Sequence, residues 1–344
     1  MTDAGCTESS KCLSRNPPLE MSYFPYITAA HFAVGSCQST SGQVTLRAPT
    51  YIPANDSAAS LETRGTAYAF VRNLAREVSS GSVDLPCFPE VVIRLRNAFA
   101  DSSASPERTV KIVGSEPRLA AKLLETARSV AFNPSGRQLT DLRSAVTRLG
   151  RELVQGAAMA FAVQQMRDEE SLRPVAKQLS ELWKKGVAVA SICRVVARRT
   201  SVSPDLAFLT GLLHGIGRLY IIVRAVGSAR ELCEEPRLLD LVGGWHASIG
   251  KAVLESWGFA EEMAEAVNDQ DAYERRPRNA ADLSDVLIAS VILAGSWEAP
   301  DPRTVEMNGA SAFQTIGLSE QDYAAILTHA ERQLGSLQDA LGCN

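Results

Sequence analysis

The residues best suited to chemistry lie in one short run, Leu212-Leu213-His214-Gly215-Ile216-Gly217-Arg218-Leu219, with a further glycine at 211. An imidazole there can bind a divalent metal, move a proton or hydrogen-bond inside a core, and the glycines permit close backbone approach. A lone histidine on an apolar helix is more often a satisfied core residue than a ligand, and the run alone leaves both readings open. The seven cysteines, at 6, 12, 37, 87, 193, 233 and 343, form an odd set without a C-x-x-C pair. They are expected to be reduced thiols, with Cys193 and Cys233 as small core residues rather than nucleophiles.

The elements that must position these groups read as helices. Ser105-Pro106-Glu107 and Ser203-Pro204-Asp205 place a hydroxyl at the N-cap, proline at the first helical position and an acid in the first turn, and Glu116-Pro117 repeats the device. Leu119, Ala120, Leu123, Leu124 and Ala127 form one apolar stripe, and Leu142, Ala145, Val146 and Leu149 another. Ser319-x-x-Asp322 resembles a capping box that opens a last helix carrying Tyr323, Ile326, Leu327 and Leu334. Alternating strand patterns are nearly absent after residue 60, so the body is expected to be all-α. A break around Arg167–Arg173, ending at Pro174, marks the expected boundary between two helical lobes.

Composition sets the wider limits. The 344 residues are 45% hydrophobic and 22% charged, which fits a folded globular chain. Thirty-five basic against thirty-nine acidic residues give a net charge of −4, so no global field favours nucleic acid. The apolar runs Leu206–Gly217 and Val286–Trp297 are twelve residues each, short of the ~20 needed to cross a bilayer, and read as buried helices. Tyr23–Val34 and the following Gly35-Ser36-Cys37 faintly resemble an export signal, but Pro25 and His31 interrupt the run and the leader is not basic. A cytoplasmic protein, with neither membrane nor nucleic acid as partner, is the expectation. Residues 1–60 carry only seven charged side chains but fifteen Ser and Thr, so 1–65 is expected to be a loosely docked extension.

Several ordered landmarks carry a resemblance. Leu85-Pro86-x-Phe88-Pro89-Glu90-Val91 comes first, then Ile112-Val113-x-Ser115-Glu116-Pro117-x-Leu119-Ala120-x-Lys122-Leu123-Leu124, then Leu142 to Gly150. Leu182-Trp183, Gly211-Leu212-Leu213-His214 and His246-Ala247-x-Ile249-Gly250 to Trp257-Gly258 continue the series. This order resembles an HDOD domain, the HD-related output domain of bacterial signalling proteins, over about residues 66–296. The resemblance implies a two-lobed helical fold: an N-terminal bundle at 66–170, an HD-like bundle at 174–296, and a C-terminal helical tail at 297–344.

The departures bear most on function. The HD site resembled here uses a spaced set of His and Asp around divalent cations. Lys185 stands where the wider superfamily has a histidine after Leu-Trp, Gly215 stands for the Asp of the His-Asp pair, and Gln270 and Asp271 stand near a later His-His pair. His214 and His246 remain as weak metal candidates, with Asp205 or Asp240 as stray carboxylates. No cofactor and no catalysis are expected. Lys185, His214, Gly215, Arg218 and His246 would instead line a vestigial pocket, either separately satisfied or suited to a small anion such as a nucleotide. The resemblance implies a non-catalytic regulator that binds signalling proteins of two-component or cyclic-dinucleotide circuits. The alternatives are a nucleotide sensor and a residual metal-dependent phosphohydrolase. Five bases within Lys184–Arg199 and seven acids within Glu255–Glu274 read either as wet helix faces or as partner-steering surfaces.

Overall fold

The computed structural model describes residues 69–70, 72–74, 76–77, 88–100, 105–136, 138–139, 141–228, 244–276, 278–298 and 310–341. The expected 1–65 extension, Cys233 and Asp240 lie outside the described residues. Among those described, the chain is all-α and holds no strand. After helical residues between 69 and 77 come α1 (Glu90–Ala100), α2 (Pro106–Gly114), α3 (Pro117–Arg128) and α4 (Leu142–Asp168). A 3-10 turn at Glu170–Val175 leads into α5 (Ala176–Ala197), followed by α6 (Pro204–Leu213) and α7 (Ile216–Ser228). Then follow α8 (His246–Ser256), α9 (Glu261–Asn268), α10 (Leu283–Glu298), α11 (Ser311–Ile316) and α12 (Glu320–Leu341).

The caps act as their residue types dictate. Ser105 accepts from Arg108 N, Glu116 from Arg118 N and Ser203 from Leu206 N, each ahead of a proline that opens its helix. Asp322 takes both the Ser319 amide, at 2.9 Å, and the Ser319 hydroxyl, at 2.6 Å, at the start of α12. Helix α4 is two helices joined at a kink, where Gly150 has φ +71°, a conformation that a side-chain-bearing residue rarely adopts. The periodicity on either side is intact, so apolar spacing carried no sign of this bend. The helical path breaks again at Asp168, and Pro174 sits in the 3-10 turn that follows.

Buried side chains from Phe70 to Leu341 belong to one hydrophobic core. Helix α5 is its axis, packed along α6, α10 and α12. Run together across the His214–Gly215 step, α6 and α7 give a 24-residue stretch, Pro204–Gly227, apolar enough to span a membrane. Its most apolar part is 83% buried inside the protein, as in the core helix of a compact fold.

The C-terminal helix is built into this core. Ile326, Ala330, Leu337 and Leu341 are buried, and α12 backbone carbonyls receive side-chain donors from two other helices. Trp183 Nε1 donates to Leu341 O at 3.1 Å, and Ser191 Oγ donates to Ala330 O at 3.0 Å. From α3, Thr126 Oγ1 reaches Ala340 O at 3.4 Å. Replacing Trp183 by Phe removes one buried donor while keeping a large apolar ring, and is expected to cost about 1–2 kcal/mol in a urea titration. No change in the midpoint would show that the α5–α12 hydrogen bond contributes nothing.

Candidate functional site

Glycines bring four helices into backbone contact around His214. A Cβ at Gly186 would lie 2.8 Å from Leu212 O, and one at Gly211 would lie 2.8 Å from Ala190 Cα, so α5 and α6 touch main chain to main chain. A Cβ at Gly217 would lie 1.9 Å from His246 O, so the start of α7 presses directly on the start of α8. These contacts admit no side chain, and each sits beside a candidate residue: Lys185 next to Gly186, His214 three positions after Gly211, Arg218 next to Gly217.

His214 is 5% exposed, and its Nδ1 donates to Gly211 O at 2.7 Å. A carbonyl only accepts, so the proton of the neutral ring sits on Nδ1 and Nε2 carries a lone pair. Burial drives the His214 pKa down from 6.5 to about 3, opposed by the Gly211 bond and aided by the positive charges of Lys185 and Arg218 and by His246. Lys185, Arg218 and His246 are thus all within electrostatic reach of His214. The carbonyl of His214 accepts from Gln270 Nε2 at 3.2 Å, and the same amide donates to Val267 O at 2.8 Å.

His246 is 4% exposed and reaches Asp271 Oδ2 with Nε2 at 3.3 Å. Tyr273 completes this edge. Burial, then the Asp271 charge, pushes its pKa up to about 12 against the opposing pull of Arg218, and its hydroxyl donates to Asp271. Tyr273 is the residue that sequence reasoning missed: it sits in a turn, where no periodicity marks it. Its loop is tied down by Arg275, which meets Asp282 Oδ2 at 2.9 Å, Asp285 Oδ1 at 3.0 Å and Asp269 Oδ2 at 3.6 Å. Asp282 and Asp285 also cap each other's amides, at 2.9 and 3.1 Å, a reciprocal pattern that the Asp-x-x-Asp spacing could have signalled.

The described residues do not form the ligand set of a catalytic metal. Among the described residues, no three His, Cys, Asp or Glu side chains are grouped to hold an ion. Asp205 is paired with Arg194 at 3.2 Å. Lys185 adds positive charge near His214, and at Gly215 a Cβ would find no atom within 4 Å. Cys193 lies in the core, with its thiol pushed up to about 12 by burial, which favours the protonated thiol over the nucleophilic thiolate.

Part of each charged run is engaged in structural contacts. Arg194 stacks over Phe132 at 4.2 Å and donates to Ala131 O at 2.9 Å, and Arg199 pairs with Asp322. In the acidic stretch, Lys251 holds Glu255 and Glu265, and Arg275 holds Asp269.

Two outcomes follow. Ala at Gly217 should destabilise by about 1–3 kcal/mol or more through forced backbone displacement, whereas Ala at Gly215 should change stability by less than about 0.5 kcal/mol. Equal effects in denaturant titrations would contradict the close backbone approach at Gly217. The second concerns pH: the unfolded His214 ring takes up a proton near pH 6.5 that the folded ring refuses until about 3. Its contribution to stability is therefore complete above pH 6.5 and falls as the pH drops, by up to about 1.4 kcal/mol per unit. His214→Gln should flatten this slope in urea midpoints measured from about pH 7 to 4.5. An unaltered slope would place the dependence elsewhere.

No curated protein matches the chain. Among solved structures, a candidate metal-dependent phosphohydrolase from Shewanella amazonensis superposes with a TM-score of 0.63 at 21% identity, covering 80% of this chain and 99% of that one. A candidate signal transduction protein from Marinobacter aquaeolei gives 0.53 at 19%, covering 83% and 67%. An HDOD domain protein from Geobacter sulfurreducens gives 0.51 at 22%, covering 82% and 98%. At these identities the likeness establishes the fold. The HDOD domain model matches residues 85–273, more than half of the chain, and the glycine-packed helices around His214 and His246 fall inside that match. The chain belongs to the HDOD family.

Proposed function

We propose that this HDOD protein is a non-catalytic regulatory module of the cytoplasm that acts by binding signalling proteins, with its HD-like pocket retained as a scaffold or ligand site. The observation that carries the reading is the makeup of the pocket. Lys185 and Gly215 stand where the family resemblance places a histidine and an aspartate, and no trio of metal-binding side chains is present among the described residues. A metal-assisted hydrolase needs oriented ligands and an open position on the ion to lower the pKa of bound water. A cation near His214 opposes that arrangement. Membership of the HDOD family, and the name of the Marinobacter relative, support a signalling role.

A second reading, a sensor for a small anionic ligand such as a nucleotide, is favoured by one specific observation. Lys185 and Arg218 are close enough to His214 for both charges to act on its ring.

Purified protein supplied with Mn2+ or Mg2+ should release no product from cyclic dinucleotides or bis-p-nitrophenyl phosphate above the level of a heat-denatured control. Affinity capture from the source cell should enrich a kinase, response regulator or cyclic-dinucleotide enzyme. Hydrolysis that is lost on substitution of His214 would overturn the reading in favour of a residual phosphohydrolase.

A further inference from the structure

A notch where α1, α4 and the α8–α9 turn meet is lined by side chains that the site around His214 does not use. Phe88 stands just ahead of α1, and Trp257 and Phe259 flank Gly258, whose φ of +69° turns the chain between α8 and α9. The rings of Phe88 and Trp257 lie 5.2 Å apart between centroids, tilted at 37°. Trp257 and Met159 of α4 are buried, whereas Phe88 and Phe259 are only partly covered. The open space is about 20 Å3, room for a methyl-sized group and too small for a ring.

Two polar side chains line the same notch. Arg96 on α1 and Gln155 on α4 make no hydrogen bond or ion pair among the described residues, and Glu152, one turn before Gln155, forms none with Arg96. Other arginines of this region are engaged: Arg148 donates to Asn133, and Arg151 donates to Phe99 O and stacks over the Phe99 ring at 5.4 Å. Aromatic residues, methionine and arginine are the types that the centres of protein interfaces favour. A guanidinium with unspent donors beside an apolar opening suits a carboxylate, which its planar fork holds through two N–H groups, and the Gln155 amide supplies a further donor.

We propose that this notch docks an acidic segment of a partner protein, seating an aliphatic methyl group between Phe88 and Phe259 and pairing a neighbouring Asp or Glu carboxylate with Arg96. This rests on the reading of the chain as a partner-binding module, and deepens it by naming the surface and the partner chemistry.

The test is saturation-transfer NMR on the full chain at low ionic strength, with the peptide acetyl-Gly-Ser-Val-Glu-Ser-Gly-amide as probe. Saturable transfer, strongest at the valine methyl protons, is expected. Glu to Gln in the peptide, or Arg96→Gln in the protein, should each weaken binding at least about threefold, and the two together no more than either alone. Arg96→Gln removes no hydrogen bond or ion pair within the described fold, so the melting temperature should stay near that of the parent. Additive effects of the two changes would overturn the proposal, as would transfer no stronger at the valine methyls than at the serine protons. Absence of saturable binding, while affinity capture still enriches a signalling protein, would overturn the notch and leave the regulatory reading standing. Failure of both peptide binding and capture would overturn both.

Discussion

The structure around the site depends on helices that touch backbone to backbone. Where α5 meets α6 at Gly186 and Gly211, and α7 meets α8 at Gly217, the spacing is shorter than any side chain allows. Apolar burial supplies the attraction, but it is non-directional and would accept many registers. The glycines restrict the choice, since only the register that pairs each one with main chain closes these gaps. Lys185 on α5, Arg218 on α7 and His246 on α8 are thereby brought within electrostatic reach of His214 at the end of α6.

Within that frame, charge decides what the pocket can do. A divalent ion needs several anionic or neutral ligands turned inward. This pocket has two histidines, one of them held neutral by burial, and two cations. Asp271 is engaged by His246 and Tyr273 at the rim. Arg275 anchors the loop that bears Asp271 and Tyr273 by meeting Asp269, Asp282 and Asp285, so this edge is held by an ion-pair network. Asp282 is kept well below the usual carboxylate range by its hydrogen bonds and ion pairs with Arg275, against the opposing effect of burial. Burial pushes Asp285 upward.

Features fixed by local chemistry were legible in the sequence. Ser-Pro-acid starts, the Ser319–Asp322 cap and the break before Pro174 each depend on a few adjacent residues, and each lies where the spacing placed it. The nearness of Lys185, Arg218 and His246 to His214 depends on tertiary packing that no periodicity encodes, and only the family resemblance pointed to those residues. The kink at Gly150 leaves the apolar stripe unbroken, so nothing in the pattern announces it. Arg194 read as one of a run of surface charges, whereas its place over Phe132 and against Asp205 depends on how two helices and a loop meet. The docking of α12 was hidden for the same reason: its partners Trp183, Ser191 and Thr126 lie far away along the chain.

The central claim is that fixed side-chain charge, and no catalytic ion, occupies the HD-like site. The most direct measurement is the metal content, by plasma mass spectrometry, of the full chain purified from its source cell without chelator. The account predicts manganese, iron, zinc and nickel all well below one equivalent per chain. A stoichiometric transition metal, lost on substitution of His214 or His246 in a chain that remains folded, would contradict it.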